Sequence, residues 1–360
     1  MRVVVKIGSS SVTAAQGEVD TVALDKLTSE VVNARRLGHQ VIVVTSGAIT
    51  AGVQVLGITR PDDPEMLQAV SAVGQIELMR VYRELFGRHG VLPGQVLLAP
   101  HDFGQRQQYL HARTTLSNLL ALGVVPVVNE NDAVADDEIR FGDNDRIAAL
   151  VAHLMSADLL VLLTDTPGLL TADPRLEPDA SLIEEIVEID QELERVAGGA
   201  GERGSGGMAS KLAAAKMAAW SGVRTVIAAA NRVGVLQDTI EGTSGVGTSV
   251  QPRSQKLSAR KLWIGFAVAS SGTLVVDAGA RQALVDMKRS LLPAGIRAVH
   301  GTFSANCAVE IADETGSVFA KGITRVGSDD LVRIAGLRTS ELPEGVVHET
   351  VHRDDLVVLP

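Results

Sequence analysis

Short apolar runs alternate with longer amphipathic segments through roughly the first 250 residues. The apolar runs predict six strands: VVVKI near the start, then residues 40–47, 94–100, 124–132, 157–165 and 223–229. Apolar positions at helical spacing predict helices over 20–38, 67–89 and 106–122, with further helices before the last two strands. This alternation predicts an α/β fold, in which helices sandwich a mainly parallel sheet.

The pattern changes near residue 250. The stretch QPRSQKLSARK (Gln251–Lys261) is polar and basic, which is typical of a linker. Beyond it, four short runs separated by turns predict a β-rich region: GTLVVD, AVEIAD, SVFAKGI and LVRIAG. We therefore predict a first domain over residues 1–255 and a smaller β-rich domain over residues 269–350, which agrees with two domains for 360 residues.

Composition narrows the class of protein. The net charge of −10 argues against general affinity for nucleic acid or anionic membranes, because both require basic surface. Cys307 is the single cysteine, which excludes an internal disulfide and a cysteine-based metal cluster and fits a reducing compartment. No secretory signal and no membrane-length apolar run is visible. We expect a cytoplasmic protein with no membrane partner.

Polar residues collect where the predicted strands end. Because ligands bind at the carboxyl ends of strands in an open parallel sheet, these residues predict a site. They are Lys6 and Gly8, then Ser46, then Asn129 and Asp132, and finally Thr164 and Asp165. A single lysine at a strand end also fits a side chain that reaches for solvent, so the set as a whole carries the prediction.

Three glycine-containing segments have two interpretations each. Gly8-Ser9 and Ser46-Gly47 fit either ordinary strand-to-helix turns or backbone N–H groups that approach an anion. The segment GGAGERGSGGMASK (Gly198–Lys211) fits either a mobile linker or a phosphate-facing loop in which Lys211 supplies a second cation. G-x-x-x-x-G-K-[ST] is absent, so the sequence does not predict a P-loop.

The run NENDAVADDEIRFGDNDR (Asn129–Arg146) contains seven carboxylates. Most such runs are solvated loops, and that interpretation suits Asp136, Asp137 and Glu138. Asp132 lies at the end of a predicted strand, and Asn144-Asp145 precedes a helix. These positions are suited to holding the ammonium group of an amino acid, or to orienting the lysines.

The order of several motifs resembles one known family. KIGSS, TSGAI, AVGQ, NENDAV, FGDND, LLTDTPG and GSGGMASK occur as they do in the glutamate 5-kinases of the amino-acid kinase family, and the similarity spans nearly the whole chain. The tail from GTLVVDAGA to HRDDL resembles a PUA domain. One departure is Ser205, which stands where threonine is usual and keeps a hydroxyl. The resemblance implies the amino-acid kinase fold and ATP-dependent phosphorylation of the γ-carboxylate of L-glutamate, the first step of proline biosynthesis.

The resemblance also implies roles for individual residues. Lys6 and Lys211 would contact the transferring phosphoryl group, with Asp145 orienting them. The glutamate-binding positions would be Ser46, Asn129, Asp132 and Asn144. The ATP-binding positions would be Lys6, Gly8, Thr164, Asp165, Ser205, Gly206, Gly207, Met208, Ala209, Ser210 and Lys211.

Cofactors and partners follow from the same resemblance. It implies ATP as co-substrate, Mg²⁺ carried by the ATP phosphates without a protein metal site, and proline as a feedback inhibitor. It further implies a homotetramer or homodimer and functional coupling to the next enzyme of proline synthesis.

Two rival functions belong to different classes. Sister kinases act on acetylglutamate, aspartate, carbamate or nucleotide phosphates, and the NENDAV and GDND segments argue against them. PUA domains often bind RNA, which makes an RNA-binding protein the second rival. Residues 269–360 contain nine basic and twelve acidic side chains, and this balance argues against RNA as a partner.

Overall fold

The computed structural model describes residues 1–14, 18–134, 144–172, 177, 179–198, 207–254, 256–343 and 348–359. The chain divides into two compact units, Met1–Lys256 and Leu257–Pro360. Each unit has its own sheet. None of the helices in the described ranges is long and apolar enough to cross a membrane.

The first unit contains eight strands and nine α-helices within the described ranges. The strands are β1 (Arg2–Ile7), β2 (Gln40–Val44), β3 (Pro93–Leu98), β4 (Val125–Glu130), β5 (Leu159–Thr164), β6 (Glu185–Ile186), β7 (Arg224–Ala229) and β8 (Gly247–Val250). The helices are α1 (Ser9–Val12), α2 (Thr21–Arg36), α3 (Ala48–Leu56), α4 (Pro64–Gly87), α5 (Arg106–Ala121), α6 (Asn144–Leu154), α7 (Gln191–Val196), α8 (Met208–Trp220) and α9 (Val235–Glu241).

The strands of this unit form one sheet in the order β3-β4-β2-β1-β5-β7-β8-β6. Every neighbouring pair is parallel except β7 and β8, which are antiparallel. The predicted fold class, a mainly parallel sheet between helices, is confirmed. β6 and β8, which extend the sheet beyond β7, were not predicted from the sequence, because they are short and lack long apolar runs.

The predicted elements appear with shifted ends. α2 begins one residue after Asp20, whose carboxylate accepts hydrogen bonds from the N–H groups of Val22 and Ala23. α4 begins earlier than predicted, because Asp63 caps it and Pro64 occupies its first turn. The strand predicted to run to Asp132 ends at Glu130, and a short 3₁₀ turn over 132–134 follows.

The alternation of side chains along β1 assigns its residues to two layers. Val3, Val5 and Ile7 belong to a core shared with α2, α4 and α9. Because successive strand side chains point to opposite faces, Lys6 points to the other side, where it meets α6. The same parity places Val125, Val127 and Asn129 of β4 on the α4 side. The alternation along β1 and β4 therefore indicates which face of the sheet carries Lys6 and which carries Asn129.

The second unit is smaller and has a five-stranded sheet in the order β10-β9-β11-β12-β13. Its strands are β9 (Gly272–Val276), β10 (Ile296–His300), β11 (Ala308–Ala312), β12 (Val318–Thr324) and β13 (Val351–Val358). Its α-helices are α10 (Ala259–Leu262), α11 (Ala278–Val285) and α12 (Ser328–Ile334). The predicted small β-rich unit is confirmed.

One predicted β-rich run of this unit is wrong. LVRIAG begins at Leu331 inside α12, which the structure extends over Ser328–Ile334. Asp329 and Asp330 lie in the first turn of this helix, where carboxylates are favourable. The apolar residues Leu331 and Ile334 are buried at a helical spacing of three. A short apolar run does not separate helix from strand by itself, and the acidic residues before it decide for the helix.

Candidate active site

Two buried lysines share one carboxylate at the carboxyl end of β1. Lys6 Nζ lies 2.7 Å from Asp145 Oδ1, and Lys211 Nζ lies 3.3 Å from Asp145 Oδ2. All three side chains are almost fully buried. The structure thus brings together the three predicted catalytic residues, which are far apart in sequence. Together these side chains carry one excess positive charge, which suits an anionic group.

Asp145 is held in its charged form by its neighbours. Burial alone would raise its pKa, but the charges of Lys6 and Lys211 and hydrogen bonds from Lys6 and Ser210 lower the pKa of Asp145 below its usual range. Ser210 Oγ donates to Asp145 Oδ2 over 2.7 Å. The carboxylate therefore fixes both ammonium groups in place.

The elements around this cluster explain its position. Asp145 lies in the first turn of α6, where the helix dipole favours a negative charge. Lys211 lies in the first turns of α8, whose buried side is rich in alanine. Short side chains allow α8 to approach α6 closely, so a lysine of α8 reaches a carboxylate of α6.

The four predicted glutamate-binding residues line one cleft of about 130 Å³. They are Ser46, Asn129, Asp132 and Asn144. Ser9 and Arg60 line the same cleft, together with residues of the first turn of α3. Asn144 and Asp145 are consecutive, so the cleft and the lysine cluster meet at the start of α6.

Hydrogen bonds fix the amide groups of the cleft. Asn144 Nδ2 donates to Ser46 Oγ over 3.2 Å, while Asn144 Oδ1 accepts from the N–H of Glu130 over 3.1 Å. Asn129 Oδ1 accepts from the same N–H over 2.9 Å, and Asn129 Nδ2 donates to Gln75 Oε1 over 2.8 Å. The cleft therefore presents amides of defined orientation to a ligand.

Asp132 supplies the carboxylate of the cleft. Burial raises the pKa of Asp132 above its ordinary value, while a hydrogen bond from Ser71 and the charge of Arg60 partly oppose that rise. Ser71 Oγ donates to Asp132 Oδ2 over 2.5 Å. A ligand ammonium beside Asp132 would lower its pKa again, since an opposite charge favours the ionised form.

Gly47 is the N-cap residue of α3 and lines the cleft. Its φ is +105°, in the left-handed region, and a Cβ there would lie 3.0 Å from Val12 Cγ2. A side chain at this position would therefore combine strain with crowding. Ser46, Gly47 and Ala48 all line the cleft, so the start of α3 is available to a carboxylate.

The predicted ATP-binding residues lie around the lysine cluster where the structure describes them. Gly8 caps α1, and a Cβ at Gly8 would lie 3.4 Å from Lys6 Nζ. Thr164 ends β5, the strand beside β1, and its hydroxyl donates to the exposed Asp165 over 3.0 Å. Gly207 precedes α8. The first four residues of this helix are Met208, Ala209, Ser210 and Lys211. Ser205 and Gly206 lie outside the described residues, as do Asp136, Asp137 and Glu138.

Models of known protein families match both parts of this sequence. The family model described as "Amino acid kinase family" matches residues 1–229, more than half of the chain. The chain belongs to the amino acid kinase family. A PUA domain model matches residues 272–346, within the second unit. The family resemblance of the sequence motifs is confirmed.

Relatives in this family share the full length of the chain. Glutamate 5-kinase of Citrifermentans bemidjiense is 45% identical over 367 residues, which cover 99% of this chain and 97% of the relative. Glutamate 5-kinase of Nocardia farcinica is 46% identical over 356 residues, with 99% and 96% covered. The solved carbamate kinase from Giardia lamblia bound to AMP-PNP has a TM-score of 0.51 at 16% identity. It covers 70% of this chain and 98% of its own, and it supports the fold alone.

Sequence reasoning within this kinase family missed several residues of the site. Arg60 lines the cleft, while Ser71 and Gln75 bond to two cleft residues without lining the cleft themselves. The positions of Ser71 and Gln75 carry a signal, since they interrupt the buried apolar side of α4 at a spacing of four. Arg60 lies in a loop, where no periodicity predicts its position.

The described residues contain no group of three or more histidine, cysteine, aspartate or glutamate side chains that could hold a metal ion. Mg²⁺ in kinases is commonly held by one or two carboxylates and by substrate phosphates.

Proposed function

We propose that this member of the amino acid kinase family transfers the γ-phosphoryl group of ATP to the γ-carboxylate of L-glutamate. The products are L-glutamyl 5-phosphate and ADP, and the reaction is the first step of proline biosynthesis. Relatives named glutamate 5-kinase, about 45% identical over nearly the whole chain, support this substrate. The membership of a kinase family supports ATP as the phosphoryl donor.

The cleft has a partner for each charged group of glutamate. Asp132 binds the α-ammonium group through a charge-assisted hydrogen bond. Arg60 and the start of α3 attract the α-carboxylate. Ser46 and Asn144 then direct the side chain toward the lysine cluster.

The single observation that carries the proposal is the junction at Asn144-Asp145. Asn144 lines the cleft, and Asp145 is the carboxylate between Lys6 and Lys211. An acceptor carboxylate beside Asn144 therefore lies next to two fixed cations. These cations offset the repulsion between the carboxylate and ATP and stabilise charge on the transferring oxygens.

This reaction needs no general base. The γ-carboxylate of glutamate has a pKa near 4.3, so it is ionised near neutral pH and attacks phosphorus directly. The bond from the γ-phosphorus to the bridging oxygen of ATP breaks, and ADP leaves with the electron pair. In this proposal Lys6 and Lys211 contact the transferring phosphoryl group, and Gly8 and the segments 164–165 and 205–210 contribute to binding ATP. Mg²⁺ bound to ATP supplies further charge neutralisation.

A substrate panel tests the proposed function. The purified chain is incubated with ATP and Mg²⁺ and with glutamate, acetylglutamate, aspartate, carbamate or a nucleoside monophosphate, and ADP release is measured. We expect release with glutamate above all others, and hydroxylamine should trap its acyl phosphate as the hydroxamate. Release that is strongest with another acceptor would assign the chain to a different branch of the family.

We further propose that proline inhibits the enzyme by competing for the cleft, because proline has the same α-ammonium and α-carboxylate groups as glutamate. Inhibition should weaken as glutamate rises in a rate assay at constant ATP.

We also propose a cytoplasmic homodimer or homotetramer that is functionally coupled to the enzyme consuming its reactive acyl phosphate. Light scattering after size-exclusion chromatography measures the oligomeric state.

A further inference from the structure

Helix α4 changes character along its buried side. Toward its carboxyl end the side is largely apolar, with Leu78, Leu85 and Phe86 in the core. Toward its amino end the buried side includes two polar side chains, Ser71 and Gln75, one turn apart. Because polar side chains are costly to bury without hydrogen bonds, their partners indicate their purpose.

Ser71 bonds to the carboxylate of the cleft. Its hydroxyl donates to Asp132 Oδ2 over 2.5 Å, and both side chains are buried. Ser71 does not line the cleft. It therefore reaches a ligand only through Asp132, whose orientation and charged form it stabilises.

Gln75 bonds to an amide of the cleft. Gln75 Oε1 accepts from Asn129 Nδ2 over 2.8 Å, and Gln75 Nε2 donates to Gln95 Oε1 over 3.0 Å. With Gln75 as the acceptor, Asn129 keeps its Nδ2 toward α4 and its Oδ1 toward the N–H of Glu130. Gln75 also does not line the cleft.

We propose that Ser71 and Gln75 are positioning residues for the amino-acid substrate, with Ser71 fixing Asp132 and Gln75 fixing Asn129. This assignment rests on the proposed function, because it takes glutamate as the ligand of the cleft. Helix α4 thus orients two cleft residues, Asn129 of β4 and Asp132 in the turn after it. Two apolar side chains at these positions would fill the space but would leave Asp132 and Asn129 without these partners.

The two residues act on different properties of the site, and this difference makes the assignment testable. Removing the Ser71 hydroxyl takes away a hydrogen bond that lowers the pKa of Asp132, leaving burial and the charge of Arg60. Removing the Gln75 amide leaves the hydrogen bond of Asp132 in place and frees the amides of Asn129 and Gln95.

The Ser71 experiment compares Ser71→Ala with Ser71→Thr. In Ser71→Ala we expect kcat/KM for glutamate to fall about tenfold, the usual scale for a lost hydrogen bond to a charged group. The acid limb of its pH profile should move to higher pH, and KM for ATP should stay unchanged. Ser71→Thr retains the hydroxyl and should restore the wild-type pH limb. Thr28→Val is the matched control, because it removes a buried hydroxyl that bonds only to Asp25 O of α2.

The Gln75 experiment compares Gln75→Met with Gln75→Glu. Methionine matches the length of glutamine and lacks the acceptor, so KM for glutamate should rise severalfold with no movement of the pH limb. In Gln75→Glu the carboxylate of the new side chain still accepts a hydrogen bond from Asn129, and the Gln95 amide can rotate to donate to it. KM for the substrate glutamate should therefore return toward the wild-type value.

Each outcome bears on the assignment. Wild-type kinetics in both Ser71→Ala and Gln75→Met would overturn it, as would equal losses for ATP and glutamate together with a lower melting temperature. The latter result would show a structural role instead. If the wild-type chain itself releases no ADP with glutamate, the proposed function fails and the assignment fails with it, whereas unaffected variants of an active wild type overturn the assignment alone.

Discussion

Lys6 shows how one residue connects the sequence to the chemistry. Its ammonium group is removed from water and held 2.7 Å from Asp145, on the opposite side of β1 from Val5 and Ile7. Burial of a charged group costs free energy unless the group is paired. Here one carboxylate pairs with two lysines, so the cluster keeps a net positive charge in the interior. This positive charge is suited to an anionic group such as a phosphate.

Replacing Lys6 tests its catalytic role. We expect Lys6→Ala to lower kcat by about 10²-fold or more, the usual loss when one fixed electrostatic contact to a transition state is removed. Lys216→Ala is the control, because Lys216 lies on α8, as Lys211 does, but pairs with Glu194 instead of Asp145. Steady-state kinetics and a melting curve measure both effects. Near-normal turnover in a folded Lys6→Ala protein would end the catalytic assignment.

Replacing Asp132 tests its proposed role in binding glutamate. Asp132→Asn keeps the shape of the side chain and removes the charge, so KM for glutamate should rise by at least about tenfold while KM for ATP changes little. In the proposed function the ionised form of Asp132 binds the ammonium group, and burial raises the pKa of Asp132. In the wild type, kcat/KM for glutamate should therefore fall on acidification at a higher pH than an ordinary aspartate would require.

The control for this experiment is Asp286→Asn, which removes an exposed carboxylate in the second unit. Both Michaelis constants and the pH profile are measured for the wild type and for both variants. A stable Asp132→Asn protein with an unchanged KM for glutamate would contradict the ammonium-binding role.

At the scale of elements, the sequence predicts the sheet and much of the site for the same reason. Parallel strands place their carboxyl ends at one edge, so the strand pattern alone groups Ser46, Asn129 and Asp132. It does not predict the partners behind them, because pairing of α4 with β4 depends on packing between distant segments. The helix over Ser328–Ile334 was missed because its apolar run is too short to show a period.

The crossing of α3 and α4 depends on two glycines. A Cβ at Gly74 would collide with the backbone of Ala48 and Gly52, and a Cβ at Gly52 would collide with the backbone of Val70. The two helices therefore touch backbone to backbone. Since Ala48 lines the cleft and α4 holds Asp132 and Asn129, this contact joins both sides of the cleft.

Gly74→Ala should separate the two helices. We expect a loss of about 1–3 kcal/mol in stability from overpacking, together with a higher KM for glutamate as Ala48 moves. Gly87→Ala is a control in the same helix, because a Cβ there meets no atom within 4 Å. That substitution should be neutral or stabilise by about 0.5–1 kcal/mol. Thermal unfolding and glutamate kinetics of both variants check the prediction, and equal behaviour would contradict the close-contact argument.

At the scale of the whole molecule, each unit has its own core. The first unit buries one face of its sheet under α2, α4 and α9, while the second packs Leu274, Ile311 and Phe319 in a separate cluster. Every described candidate-site residue, from Lys6 to Lys211, belongs to the first unit. The chemistry should therefore not require a side chain from the second unit.

A chain ending at Lys256 tests this separation. We expect residues 1–256 to unfold cooperatively and to release ADP in a glutamate-dependent reaction, because the sheet, the lysine cluster and the cleft are all retained. Residues 257–360 should also fold alone, since their sheet has its own buried cluster. Circular dichroism, thermal unfolding and the ADP assay are applied to both pieces, with Lys6→Ala in the short chain as the inactive control. A folded 1–256 chain without activity would show that the second unit contributes to catalysis, and the assignment of the whole site to the first unit would then be wrong.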